Sequence, residues 1–333
     1  MRFCYPSGDT FVGNDAAKRT LSARFAGAQL PHAILLEGPR GSGKRMLSKL
    51  LAAAALCEQE DAPCGVCPAC RKVFGDCHPD VTVVGGSEEA RSFHLDTVRT
   101  LRESAYILPN EGKKRVFVLC NVHAMTEQAQ NALLKLLEEP PAHVLFLLTC
   151  EQRSALLETV LSRVYPVTVG GVSVSEAVAV LQRRLPDKSA EELTRAATLW
   201  GGVIGQALQG LQDGSYQETL SLLPRLAQGV VAVNELELLK ATAPLEKNKD
   251  AVAAVLSGLK LLFRDGLCAA VGGDGYLGTS PETAAELAAA LTQQQLLALV
   301  QTVEELQVAR QFNINHTLFL TLLCSRLRKA AGR

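Results

Sequence analysis

Apolar residues fall along this chain in two rhythms. In the first half, short apolar runs bounded by turn formers alternate with stretches whose apolar residues recur every three or four positions. Ala33-Ile34-Leu35-Leu36 lies between Pro31 and Gly38-Pro39, and a run that short with such boundaries reads as a buried strand. Val81-Thr82-Val83-Val84, Val116-Phe117-Val118-Leu119 and Val144-Leu145-Phe146-Leu147-Leu148 have the same character. Between them the spacing predicts helices over 15–27, over Lys44 to about Leu56, and over Glu127 to Glu139. Thr126 is placed to cap the last of these and Pro140-Pro141 to stop it. Strands separated by helices imply a parallel sheet covered on both faces. After about residue 168 the strand runs end. Residues 173–212 read as short helices broken at Gly201-Gly202, and 215–333 as almost unbroken helical pattern, with 272–281 the one loose segment.

Composition narrows the function classes. At ~150 residues per domain, 333 residues suggest two domains or three small ones. Lys and Arg (34) balance Asp and Glu (34), so there is no bulk attraction to DNA, RNA or anionic lipid, and any nucleic-acid contact must be local or made through partners. Aromatics at 5% argue against base stacking as the main activity. No apolar run approaches the ~18 residues that span a bilayer, and Met1 to Pro6 lacks the apolar core of a signal peptide. The expected setting is the cytoplasm, where thiols stay reduced. The ten cysteines are then small buried hydrophobes or metal ligands rather than a disulfide framework.

Two constellations carry chemistry. Gly38-x4-Gly43-Lys44 follows a strand and opens a helix, as a phosphate-cradling loop does, with backbone N–H groups around the anion and Lys44 reaching the outer phosphates. A glycine-rich turn that merely joins two elements is the weaker alternative. The next position should carry a hydroxyl for Mg²⁺ and carries Arg45 instead. The strand 116–119 should lead into an acidic ligand and leads into Cys120-Asn121. Two losses at one reaction centre argue against hydrolysis by this chain. The second constellation is Cys57-x6-Cys64-x2-Cys67-x2-Cys70, which suits a closed tetrahedral zinc site of structural type; an iron–sulfur cluster is the chemical rival. Cys77 and His78 lie near enough in sequence to substitute as ligands, whereas Cys4, Cys120, Cys150, Cys268 and Cys324 read as core residues.

Several segments together resemble the clamp-loader subunits of bacterial DNA polymerase III, within the AAA+ ATPases. They are Phe11-Val12-Gly13-Asn14, Leu30-Pro31-His32-Ala33, the loop and the cysteines after its helix, and His78-Pro79-Asp80-Val81. Further along come the run from Asn131 to Pro141, Leu161-Ser162-Arg163, and Asn313-Ile314-Asn315. The resemblance implies an α/β AAA+ P-loop domain with a zinc insertion over 1–168, a small helical lid over 169–213 and an all-α collar over 214–333. Motor subunits of the family, gamma and tau, keep the magnesium ligands; Arg45 and Cys120-Asn121 make this chain similar to the delta-prime branch, which has lost them. No arginine stands in Gly201 to Leu208, where motors carry a nucleotide sensor. Thr149 falls at the family's first sensor position, or simply ends a strand. Arg163 falls in the motif whose arginine reaches the ATP of a neighbouring subunit, although Val164 replaces the motif's cysteine. The implied role is a stator that hydrolyses nothing, holds one structural zinc, binds magnesium-ATP doubtfully if at all, and works with gamma/tau and delta to load the sliding clamp on primed DNA. An active ATP-hydrolysing subunit and a zinc-dependent nucleic-acid binder are the competing expectations.

Overall fold

A computed structural model describes residues 2–3, 11–27, 30–85, 95–249, 251–278, 280–310 and 314–333. Cys4 and Asn313, both singled out above, lie outside the described residues. The chain divides into two compact units, Met1–Gly171 and Val172–Arg333.

The first unit runs β1 (Arg2–Phe3), α1 (Asp15–Ala26), β2 (Ala33–Glu37), α2 (Lys44–Leu56), β3 (Asp61–Ala62), α3 (Pro68–Phe74) and β4 (Val81–Val84). It continues α4 (Leu95–Ala105), β5 (Arg115–Leu119), α5 (Glu127–Glu138), β6 (Val144–Cys150), α6 (Glu158–Leu161) and β7 (Tyr165–Thr168). Five strands form one parallel sheet in the order β4-β5-β6-β2-β7, and β1 pairs with β3 in a separate two-stranded sheet. Strand alternation divides the apolar residues between the two faces of the large sheet. Ile34, Leu36, Val116, Val118, Leu145 and Leu147 pack with α1 and α2. Ala33, Leu35, Phe117, Leu119, Phe146 and Leu148 pack with α4 and α5. Every residue of β6 is buried, as a central strand covered on both faces requires.

The four strands and three helices expected here are present, and Thr126 does cap α5 by accepting from the Ala129 N–H. The apolar pattern had not marked α3, α4 or β7. Strand β7 is an edge strand with only Val167 buried, so its hydrophobic signal is weak, and an edge tolerates Pro166.

The second unit is helical: α7 (Val174–Arg184), α8 (Ala190–Leu199), α9 (Ile204–Asp213), α10 (Ser215–Val231), α11 (Glu235–Lys247), α12 (Ala251–Ala270), α13 (Pro281–Ala290), α14 (Gln293–Ala309) and α15 (His316–Ala330). It holds two cores, one of α7, α8, α9 and Tyr216, the other of α10 to α15. The break before α9 needs glycine: Gly202 has φ 75° and lies so close to the Val172 backbone that a Cβ would overlap it. The loose segment after α12 is less loose than its composition implies. Buried Asp265 reaches across to accept hydrogen bonds from the N–H groups of Leu277 and Gly278.

Candidate functional site

The glycine-rich loop leaves the carboxyl end of β2. Its first residue is tied down on both sides: the Gly38 N–H donates to Cys150 O at 3.1 Å, and a Cβ on Gly38 would overlap the Val169 carbonyl oxygen. Gly41 and Gly43 have φ 79° and 95°, left-handed values that other residues adopt only under strain. Helix α2 starts at Lys44 with Gly43 as N-cap and no side-chain cap, so its first N–H groups are left to face the loop. Lys44 is buried, and its Nζ donates to the carbonyls of Gly38 (2.7 Å) and Pro39 (2.8 Å). Burial lowers its pKa, against the pull of Glu151 and Cys150. The result is a preshaped nest of backbone donors with an ammonium at its side.

Around this nest the two magnesium positions carry the wrong chemistry. Arg45 is exposed and makes no ion pair or hydrogen bond among the described residues. Cys120 follows β5 as a buried thiol, pushed up by burial with Arg45 pulling the other way. Asn121 adopts φ 59° and turns the chain, its N–H donating to Thr149 Oγ1 at 2.9 Å. Thr149, buried in β6, thereby ties the carboxyl ends of β5 and β6 together. A guanidinium, a thiol and an amide stand where a hard cation needs carboxylate or hydroxyl oxygens.

Two neighbours of the loop were not found from the sequence. The Glu151 N–H donates to His123 Nδ1 at 3.3 Å, and the charges of Glu151 and Lys44 both act on His123, whose pKa burial lowers. They follow different strands, so no spacing along the chain announces them. Cys150, beside them, is pushed up to about 12 by burial and is an inert core thiol.

Arg163 lies just before β7. Register pairs Ile34 with Tyr165 and Glu37 with Thr168. Arg163 therefore enters at the amino edge of the sheet, while the loop leaves from the carboxyl edge, roughly 10 Å or more along the strand at ~3.3 Å per residue. That separation sets Arg163 apart from this chain's own loop. Its guanidinium is one-third exposed and is held at 2.7 Å by Glu138 at the end of α5, and at 2.7 Å by the Thr159 carbonyl. Glu138 is a partner that the sequence pattern did not mark as such.

The four cysteines come together. The sulfurs of Cys57, Cys64, Cys67 and Cys70 all lie within 4.8 Å of one another; an ideal tetrahedral Zn–S₄ site, with ~2.3 Å bonds, puts sulfurs roughly 3.8 Å apart. The cluster is built from helix ends: Cys57 follows α2, Cys67 caps α3, and Cys70 sits in the first turn of α3. Backbone N–H groups point at sulfur, Cys67 N to Cys64 Sγ and Cys70 N to Cys67 Sγ, each at 3.4 Å. Backbone donors pull Cys64 down to about 6, while burial pushes Cys57 and Cys70 up. Four convergent sulfurs with preset donors fit a zinc-sized soft cation, so these residues can hold a zinc ion. Among the described residues Cys77 and His78 are not part of the group. Cys77 is exposed, its thiol donating to the Lys72 carbonyl. His78 is buried and accepts from the Asp80 N–H.

Comparison with known proteins places the first unit. Residues 13–172 match the family model described as DNA polymerase III, delta subunit. The delta' subunit of DNA polymerase III from Pseudomonas aeruginosa is 37% identical over 211 residues, 62% of this chain and 64% of that protein. The gamma/tau subunit of Mycobacterium tuberculosis is 31% identical over 259 residues, 73% of this chain but only 42% of that protein. A solved gamma subunit-related protein of Thermotoga maritima covers 96% of this chain and 99% of its own at a TM-score of 0.41 and 18% identity. By its sequence matches, the α/β unit of this chain belongs to the DNA polymerase III clamp-loader family, related to the delta' and gamma/tau subunits.

Proposed function

We propose that this chain is a delta-prime-like stator of a DNA polymerase III clamp loader: it hydrolyses no ATP itself and lends Arg163 to the ATP site of a neighbouring gamma/tau subunit. In this reading residues 1–168 are the AAA+ domain, 169–213 its lid, and 214–333 the collar that joins it to gamma/tau and delta. The assembly opens the sliding clamp and places it on primed DNA. The observation that carries the reading is the chemistry at the two magnesium positions, Arg45 and Cys120-Asn121. Without a carboxylate or hydroxyl at either, these positions lack the ligands that hold a cation to neutralise charge on the transferring phosphoryl group. Arg163 supplies such charge elsewhere. A guanidinium fork meets phosphate oxygens bidentately and supplies about 10³–10⁵ in rate in other NTPases, and Arg163 sits at the opposite edge of the sheet from its own loop. Cys57, Cys64, Cys67 and Cys70 hold one structural zinc, which when bound cross-links the end of α2 to the start of α3.

A second reading, an ATP-hydrolysing subunit, is favoured by the likeness to gamma/tau and opposed by Arg45. One reconstitution separates them. Gamma/tau and delta are assembled with the wild-type chain, with Arg163→Ala or with Arg163→Lys, and DNA-stimulated ATPase is measured. Both variants are expected to lose about 10²-fold or more, because an ammonium does not replace the fork. Unchanged activity sinks the finger, and ATP turnover by the isolated chain that disappears in Lys44→Ala sinks the stator.

A further inference from the structure

A cleft of about 180 Å³ opens beside the degenerate loop, between α2, the turn after α3, and strands β4 and β5. Helix α2 turns Arg45, Lys49 and Ala52 toward it, spaced four and three residues apart on one helical face. Val81 and Val83 of edge strand β4 share a sheet face, and Val118, paired with Val83 in register, continues it. With Ala52 and Val73 these valines make the walls apolar.

The polar groups at this cleft are few and unevenly matched. Lys49 is neutralised by Asp76 at 2.7 Å. Arg45 has no partner among the described residues, leaving one uncompensated positive charge at the mouth. His78 lines the cleft and is only 5% exposed. Its Nδ1 accepts from the Asp80 N–H at 3.1 Å, so the neutral ring carries its proton on Nε2. That Nε2–H has no partner among the described residues. The ring is buried, but Nε2 itself keeps contact with solvent, so a ligand in the cleft can accept from it.

From a slot with valine walls, one spare guanidinium and one unpartnered histidine donor open to the slot, we infer that the cleft binds a small aliphatic carboxylate. The branched chain lies against the valines, and the carboxylate accepts from His78 Nε2–H and pairs with Arg45. One negative charge answers one unpaired positive charge. The volume, below the ~300–1,000 Å³ usual for larger ligands, limits the body to a few carbons. Arg45, which spoils the magnesium site, has a use here. The site is independent of ATP chemistry and of Arg163.

The probe is 4-methylpentanoate, titrated into the full-length chain carrying isotope-labelled histidine and followed by NMR. Saturable binding in the millimolar range or tighter, with a shift at the His78 side chain, is expected. Arg45→Gln, at an exposed position, should weaken binding by about tenfold or more, the loss of one charge-assisted contact. His78→Asn should do the same while keeping an acceptor for Asp80. The neutral 4-methylpentanamide should bind about as weakly to the wild type as the acid binds to Arg45→Gln, and inorganic phosphate should not compete. Absence of saturable 4-methylpentanoate binding, binding unchanged in Arg45→Gln, or displacement by inorganic phosphate would each overturn the assignment.

Discussion

Asp80 shows how much one side chain organises here. It is fully buried, and its carboxylate accepts from the N–H groups of Asn110 (2.5 Å), Glu111 (2.8 Å) and Gly112 (2.8 Å), holding the approach to β5. Burial alone would push its pKa up; the three backbone donors outweigh this and hold it below the usual carboxylate value. Because the folded value lies below the unfolded one, ~3.9, Asp80 adds stability above that pH and loses it as pH falls through the folded value. Asp80→Asn, which pairs an amide NH₂ with backbone donors, should cost about 3 kcal/mol at neutral pH. It should also flatten the acid side of the stability profile below about pH 4, measured by urea unfolding across pH. Arg163 stands at the other extreme. Its pair with Glu138 is partly in solvent and worth at most about 1 kcal/mol, so it opens at little cost. Both residues lie in segments that could be recognised in the sequence. What each holds could not be read there, because Asn110 and Glu138 are 30 and 25 positions away.

At the scale of elements, the buried strands and amphipathic helices were legible because burial on both faces or on one stripe writes itself into the apolar spacing. Elements stabilised otherwise left little trace. Helix α3 has seven residues and buries only Cys70 and Val73; it is short because the cysteines, not an apolar stripe, hold it. Cys57 to Cys70 reads as a loop around a metal, and it is instead two helix ends and the short strand β3 folded onto one point. The purified chain should therefore carry one zinc, measured by metal analysis. Cys64→Ala or a strong chelator should release it and lower the thermal midpoint of the α/β unit by the equivalent of several kcal/mol.

At the scale of the molecule, the α/β unit is bounded by its own cores. The second unit likewise draws the residues of both its cores from Val172 onward. A fragment 172–333 should then fold by itself, with a helical circular-dichroism spectrum and a cooperative thermal transition; a non-cooperative melt would show that it depends on the first unit. Among the described residues no helix is long and apolar enough to cross a membrane. The family match spans the α/β unit almost end to end, so family membership rests on the part of the chain that carries the loop, the cysteines and Arg163.

The sequence by itself determined the alternation of strand and helix, the phosphate-type loop with Arg45 after its lysine, Cys120-Asn121 after a buried strand, and the zinc-type cysteine spacing, because each is a local pattern within a few residues. Only the tertiary structure decided which edge of the sheet Arg163 occupies and what holds it, which groups surround Lys44, and that a cleft with an unmatched histidine donor lies beside Arg45. Those facts depend on strand order and register, which bring together residues far apart in the chain, and no local spacing encodes that geometry.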